Sequence, residues 1–348
     1  MVISRRFDLF DTVRAAAENI ELNTTRLMRA GFRKVVSTTL DGEGLEKESL
    51  SYRWIASQAH KANFESPHFV QYIPSAGVIK FESSLPKVLY KENVSMLKSD
   101  DVSKVLDEVS DRLSGLCGDL PHAKDFNVRG RVDAVYQWDT RDGSKSFVSE
   151  YLRAFRVAQV SRHKSDNYAS NEIDRDATLY WFNRQRRLRM YDKFRESGLD
   201  SAQGILRFEV QTHHAKSELE GVGYLGDVSL GSVLNWNSAR RLISKYLDSV
   251  GGDLVITDEQ KLLGTLLKIY SPTKAIRLLG YIHLSDTFSD RELSDLGINR
   301  STVWRNVKAI NGAGVSRSKV KGLGRDKLPA LRLPENYNGQ PGIVFGGE

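Results

Sequence analysis

Residues 178–196, TLYWFNRQRRLRMYDKFRE, decide how this 348-residue chain is read. An apolar-aromatic run and a basic alternating run flank residues 183–186, the pattern of a hairpin. If residues 187–193 are extended, side chains alternate, so Arg187, Arg189, Tyr191 and Lys193 share one face and Leu188 and Met190 the other. A phenol ordinarily titrates near ~10, and cations beside it favour the phenolate, the nucleophilic form. The same cations attract a phosphodiester. Tyr191 is therefore a candidate nucleophile, Lys193 its catalytic neighbour, and Arg187 and Arg189 candidate contacts to a nucleic-acid strand. A half-buried hairpin whose tyrosine packs and whose arginines are solvated is the other reading.

Further alternating segments surround this one. Residues 69–81 (FVQYIPSAGVIKF), 130–138 (GRVDAVYQW) and 204–212 (GILRFEVQT) read as strands. Residues 99–116 read as an amphipathic helix with Val102, Val105, Leu106, Val109 and Leu113 on one face and Ser99 as N-cap. The mixture predicts an antiparallel-rich α+β domain. Past about residue 225 the pattern turns helical, over 237–250, 258–269 and 273–284, with no strand after it. A Gly/Ser-rich boundary then divides the chain into an α+β unit (1–230), a helical unit (231–335) and a loose tail (336–348). No internal repeat is visible.

Residues 288–315, FSDRELSDLGINRSTVWRNVKAINGAGV, have helix-turn-helix spacing. A first helix over 290–296 stops at Gly297, and a second opens at Asn299 or Ser301 with Trp304, Val307 and Ile310 on one face. Its exposed face would carry Arg300, Arg305, Asn306 and Lys308, residue types that contact bases and phosphates. Between residues 300 and 332 nine Lys/Arg stand against Asp326 alone, which leaves the rest of the +7 chain close to neutral. A basic block on a neutral body suits nucleic acid. A helical hairpin that merely packs and a solvated tail are the competing readings.

Composition narrows the classes further. Forty per cent hydrophobic and 27% charged residues mark an ordinary globular protein, and the single cysteine, Cys117, excludes an intrachain disulfide. Without an apolar run near ~20 residues or a signal core, a cytoplasmic protein with no membrane partner is expected.

The histidines form no His-x-His pair. His213 and His214 are adjacent and the others stand alone. The carboxylates carry more. Asp133 in RVDAV and Glu209 in LRFEV sit mid-strand between apolar neighbours, each with an arginine two residues earlier, Arg131 and Arg207. Structural Arg–carboxylate pairs are one reading. Ligation of Mg²⁺ or Mn²⁺, hard cations that prefer oxygen, is the other, with Asp8 and His213 as further candidates. Such an ion would polarise a phosphodiester while a tyrosine attacks in line.

Five segments in this order carry a resemblance: 79–94 (IKFESSLPKVLYKENV), 131–135 (RVDAV), the 178–196 hairpin, 204–210 (GILRFEV) and 299–320 (NRSTVWRNVKAINGAGVSRSKV). Over roughly residues 70–320 the chain resembles the replication initiators of filamentous phages, the gene II/gene X family. More distantly it is similar to plasmid rolling-circle initiators that use carboxylates in place of paired histidines. The resemblance implies an HUH-like nickase sheet with flanking helices, followed by a helical domain bearing the helix-turn-helix. It implies metal-dependent nicking of one strand of double-stranded origin DNA through Tyr191, a 5′-phosphotyrosine intermediate and later strand closure, in a bacterial host with its helicase and polymerase as partners. Asp133 and Glu209 match the acidic strand positions, Asp8 a first-strand acid only loosely, and Lys87 and Asn93 a block of structural or DNA-contacting residues. The family often has Gly or Ser where residues 183–186 stand. Tyr180 reads as a packing residue or a second nucleophile. A DNA-binding regulator without catalysis, working through the helix-turn-helix, is the alternative from another class, and an RNA-binding protein is a third.

Overall fold

A computed structural model describes residues 10–40, 46–57, 67–156, 164–166, 177–251, 255–320, 327–334 and 342–343, except positions 93, 96, 98, 99 and 289. Asp8, Asn93 and Ser99 lie outside the described residues.

β1 (Phe10–Ala17) is followed by the helix Thr24–Arg29 and by β2 (Arg33–Leu40), β3 (Glu46–Ile55), β4 (Phe69–Ile73) and β5 (Val78–Ser84). This meander returns so that β5 pairs antiparallel with β1. β6 (Asn127–Asp139) then starts the same path again. A two-residue hairpin, β7 (Arg141–Asp142) with β8 (Lys145–Ser146), and the helix Val148–Phe155 lead to β9 (Lys164–Asp166), β10 (Thr178–Phe182), β11 (Arg186–Asp192) and β12 (Ile205–Thr212). β12 pairs antiparallel with β6. Because β1 and β6 also pair, the two meanders fuse into one sheet of order β2-β3-β4-β5-β1-β6-β12-β11-β10-β9. A repeat is thus present in the topology where the sequence shows none. Alternation survives divergence, since the pleat constrains polarity and leaves residue identity free.

The segment 69–81, read as one strand, is two, broken by a single turn at Pro74–Ala76 that closes on Gly77. Gly77 has φ +58, a left-handed conformation that a β-carbon would strain.

The two sheet faces differ in chemistry. One presents Val13, Phe81, Val132, Ala134, Leu188, Met190, Phe208 and Val210 to a single apolar core. Two amphipathic helices close that core. Asp101–Cys117 contributes Val105, Leu106, Val109 and Leu113, and Trp236–Val250 contributes Leu242, Ile243, Tyr246 and Leu247. Asp100, not Ser99, holds the N-cap position of the first of these helices. Cys117 is buried in this core, and burial pushes its thiol up to about 12. The opposite face is polar.

The boundary expected near residue 230 falls inside this core, because Leu230, Val233 and Trp236 belong to it. A second core starts at Leu262 and runs to Val315, through Leu266, Leu278, Ile282, Leu293, Val303 and Ile310. Strands occur here too, contrary to expectation. β13 (Val255–Asp258) lies between β14 (Val315–Val320) and β15 (Lys327–Leu328). The chain then returns to the first core. Leu328 and Leu331 pack into it, the Trp138 indole N–H donates to the carbonyl of Arg332 (2.8 Å), and β16 (Gly342–Ile343) pairs in parallel with the end of β6. The loose tail expected from residue 336 is therefore anchored at Gly342–Ile343. Among the described residues no helix is long and apolar enough to cross a membrane.

Candidate active site

The 178–196 stretch forms the expected hairpin. Asn183 closes its turn by accepting from the backbone N–H groups of Gln185 (2.8 Å) and Arg186 (2.9 Å). Gly or Ser is not needed there because an Asn side chain supplies the turn's hydrogen bonds. Across β10–β11, Thr178 stands opposite Tyr191, Tyr180 opposite Arg189 and Phe182 opposite Arg187. Across β11–β12, Tyr191 stands opposite Arg207, Arg189 opposite Glu209 and Arg187 opposite Gln211. Leu188 and Met190 point into the core, so Arg187, Arg189 and Tyr191 share the polar face as alternation requires.

Lys193 departs from the expectation. The strand ends at Asp192, whose carboxylate caps the helix Lys193–Ser197 by accepting from the N–H groups of Phe194 and Arg195. Lys193 is the first residue of that helix and fully buried. Its ammonium pairs with Glu196 at 2.6 Å and lies 5.8 Å from the centre of the Tyr191 ring. In this arrangement it offers no surface to a phosphate.

Tyr191 is 1% exposed, and its hydroxyl donates a long 3.4 Å hydrogen bond to Glu209 Oε2. The Arg189 guanidinium sits 3.9 Å from the ring centre. Burial raises the phenol well above its ordinary value; Arg207 and Arg189 oppose this, while Glu209 and Glu196 reinforce it. The expected phenolate is therefore overturned. Desolvation outweighs the cations: Tyr191 is enclosed, and Arg207 is itself paired with Asp11. Tyr180, half-buried, has Arg189 5.7 Å from its ring.

Asp133 and Glu209 lie on neighbouring strands of the same face, with Val135 opposite Glu209 and Asp133 opposite Gln211. Asp133 is 1% exposed and accepts from the Arg131 guanidinium and from Gln211 Nε2 (3.2 Å). The Arg131–Asp133 pair is thus present as the structural reading expected. Arg207 behaves differently: fully buried, it pairs with Asp11 of β1 at 3.1 Å instead of with Glu209. Asp11, which also accepts from Ser84 Oγ (2.8 Å), brings a first-strand acid to this face. Burial pushes the Asp11 carboxyl up, but Arg207 and Lys193 outweigh it and hold the group below its ordinary value. Asp133 moves the other way, up to about 7, through burial and the nearby carboxylates Glu209 and Asp11 against Arg131. Burial is the first cause of that rise, and Arg131 already pairs with Asp133; the oxygens of Asp133 and Glu209 are donors of the kind that Mg²⁺ or Mn²⁺ takes. Among the described residues no three His, Cys, Asp or Glu side chains converge closely enough to form a preassembled metal cage.

The polar network continues onto the first half of the sheet. Glu82 of β5 is bound by Arg14, by Arg131 (3.2 Å) and by His68 (3.2 Å). Burial opposes its charge, but His68 and the arginines hold its carboxyl down to about 2. A depressed carboxyl stabilises the fold fully above its unfolded value of 4.5 and loses that contribution as the pH falls towards about 2. Between pH 5 and 2, wild type should lose roughly 2 kcal/mol more than Glu82→Gln in urea unfolding, a figure reduced because Arg14 is half-exposed. Equal losses would refute the pairing. Asp133 has the opposite sign, its contribution being full below 3.8 and lost as the pH rises to about 7.

Residues 290–312 form two helices, Asp290–Asp295 and Arg300–Gly312, separated by Gly297 (φ +92) and capped at Asn299, which accepts from the N–H of Ser301. The second helix buries Val303, Asn306 and Ile310. Asn306, expected on the exposed face, is 5% exposed, and Trp304, expected on the packed face, is 61% exposed. The buried stripe follows i, i+3, i+4, i+7 from Val303, so Trp304 lies one residue off it. Arg300, Arg305 and Lys308 are exposed as expected.

No protein-family model and no curated protein matches the chain. Among solved structures, the "Structure of Rolling Circle Replication Initiator Protein from Geobacillus stearothermophilus" aligns over 69% of this chain and 83% of that one, at 13% identity and a TM-score of 0.33. A likeness of that depth carries no argument about this chain's activity.

Proposed function

We propose that the chain is a DNA-strand nickase of the replication-initiator type, acting through Tyr191. The observation that carries this reading is the Tyr191–Glu209 contact (3.4 Å) inside a face that also holds Asp133, Asp11, Arg189 and Arg207. A phenol held against a carboxylate and beside the partly exposed Arg189 guanidinium has a nucleophile, a proton acceptor and phosphate-binding charge within one site. Tyr191 attacks the phosphorus of a phosphodiester, its proton passes to Glu209, and the bond to the 3′-oxygen breaks. The strand is left as a 5′-phosphotyrosine ester, the departing 3′-oxygen takes up a proton from solvent to become a 3′-OH, and return attack by that hydroxyl would close it. Arg187 and Arg189 hold the strand. Asp133 and Glu209 would hold a divalent cation, which supplies charge stabilisation at the phosphoryl oxygens. Lys193 takes a positioning role through Glu196.

The test uses single-stranded oligonucleotides tiling the DNA element that encodes the chain. With Mn²⁺ at least one should yield an adduct that survives SDS, and EDTA should remove it. Binding without cleavage in either condition would favour a non-catalytic DNA-binding regulator, the reading supported by the buried phenol together with the exposed basic helix Arg300–Gly312. Metal uptake offers a separate check. If Asp133 is protonated below about 7, Mn²⁺ binding at pH 6 should release close to one proton in unbuffered solution, and Asp133→Asn should release less.

A further inference from the structure

The helix Arg300–Gly312 carries two stripes of opposite kind. Val303, Asn306, Val307 and Ile310 face inward, and Ser301, Trp304, Arg305 and Lys308 face outward at i, i+3, i+4 and i+7. Its sequence, RSTVWRNVKAING, contains three cations and no acid. Trp304 is 61% exposed, whereas Trp138, Trp181 and Trp236 are all buried. The Lys308 ammonium lies 5.0 Å from the centre of the Trp304 ring, and Arg305 folds back to Ser301 O and Thr302 Oγ1 (both 3.2 Å). The indole keeps most of its surface in solvent beside that ammonium. Leaving a tryptophan so exposed forgoes apolar burial that a partner would recover.

That partner must be anionic and must offer flat apolar surfaces. Nucleic acid meets both demands, with phosphates for Arg300, Arg305 and Lys308 and a base for the indole. A membrane fits less well, because the outward stripe has one aromatic and no aliphatic neighbour to insert. The indole has one N–H donor and no acceptor, so it reads base edges poorly, but its face stacks on any base. Stacking needs a base face that an intact duplex keeps covered. We propose that Trp304, with Arg300, Arg305 and Lys308, forms a stacking site for an unpaired base, so that this helix binds opened or single-stranded DNA in preference to fully paired duplex. The inference rests on the reading of the chain as a DNA-acting protein and assigns the C-terminal helix a strand-capturing part in it.

The test compares the full chain and Trp304→Ala on three labelled probes: a thymine 20-mer, a paired duplex, and that duplex with a central bubble of mismatched thymines. Wild type should bind bubble and single strand about tenfold tighter than duplex, and Trp304→Ala should lose that preference. Trp304→Phe should retain most of it. Trp304 is the most exposed of the five tryptophans, so bubble binding should quench wild-type emission and leave that of Trp304→Phe nearly unchanged. A Trp304→Ala preference within twofold of wild type overturns the proposal, as does binding to anionic phosphatidylglycerol vesicles without a preference for opened DNA. Adduct formation at Tyr191 is scored separately. Adducts with a Trp304-independent preference sink this inference alone, and a Trp304-dependent preference without adducts sinks only the nickase reading.

Discussion

Tyr191→Phe will leave the fold intact and abolish the covalent protein–DNA adduct. The ring stays where Arg189 and the sheet hold it, and among the described residues the hydroxyl's one hydrogen bond is the 3.4 Å contact with Glu209. A bond that long contributes little, so urea unfolding should shift by less than about 1 kcal/mol. Chemistry has no such tolerance, because removing the oxygen removes the attacking atom. Adducts on the cleavable oligonucleotide should fall to background while binding stays within about threefold. Adducts persisting in the mutant would assign the nucleophile elsewhere, with Tyr180 on the partner strand the first residue to examine. Since the phenol is raised by burial, activity should depend steeply on what takes its proton. Glu209→Gln is therefore expected to slow adduct formation by roughly 10²-fold or more without loss of DNA binding.

Arg207→Met is expected to give the largest loss of stability on this face. Arg207 is fully buried and pairs with Asp11 at 3.1 Å. Its cationic charge also opposes the burial penalties of Asp11 and of the Tyr191 phenolate. Removing one member of a buried pair leaves the other charge without compensation, which costs about 3–5 kcal/mol. The double variant Asp11→Asn, Arg207→Met should recover at least half of that loss, because no lone carboxylate remains. Urea unfolding of the four proteins of this cycle gives the coupling directly. A loss below about 1 kcal/mol for the single variant would mean that the pair is marginal in solution.

Much of the sheet was legible because alternation is enforced by burial on one face. The strands containing RVDAV, GILRFEV and RLRMYD, and the turn at residues 183–186, follow from period two and from turn chemistry. Tyr191, Arg189, Glu209 and Asp133 consequently landed on one face as expected. What alternation cannot give is the partner across a non-neighbouring strand. Arg207 was paired by proximity in sequence with Glu209, whereas the bulged seam between β1 and β6 brings Asp11 to it. Lys193 leaves the strand because Asp192 caps the helix that begins there, a stop that alternation alone does not register. The register of the second basic helix slipped by one because Trp304 was assigned to the core on hydrophobicity alone, while a buried Asn306 defied the composition rule. Net charge misled in the same way. Of the strip's cations Lys193 is paired with Glu196, and it is the burial of Tyr191 that sets the sign of the phenol's shift.

The paired meanders have a consequence for how the protein can be taken apart. Asp11 belongs to the first meander and Arg207 to the second, and Arg131 bridges Glu82 of the first to Asp133 of the second. The ionic ties that surround Tyr191 therefore cross the seam. Neither meander should persist as an autonomous relic of a smaller ancestor, and fragments severed between them should be inert apart and regain function only on reassociation. The sheet should lose its structure in one cooperative step, whereas the unit built on Leu262–Val315, with its own core, is free to melt on its own schedule.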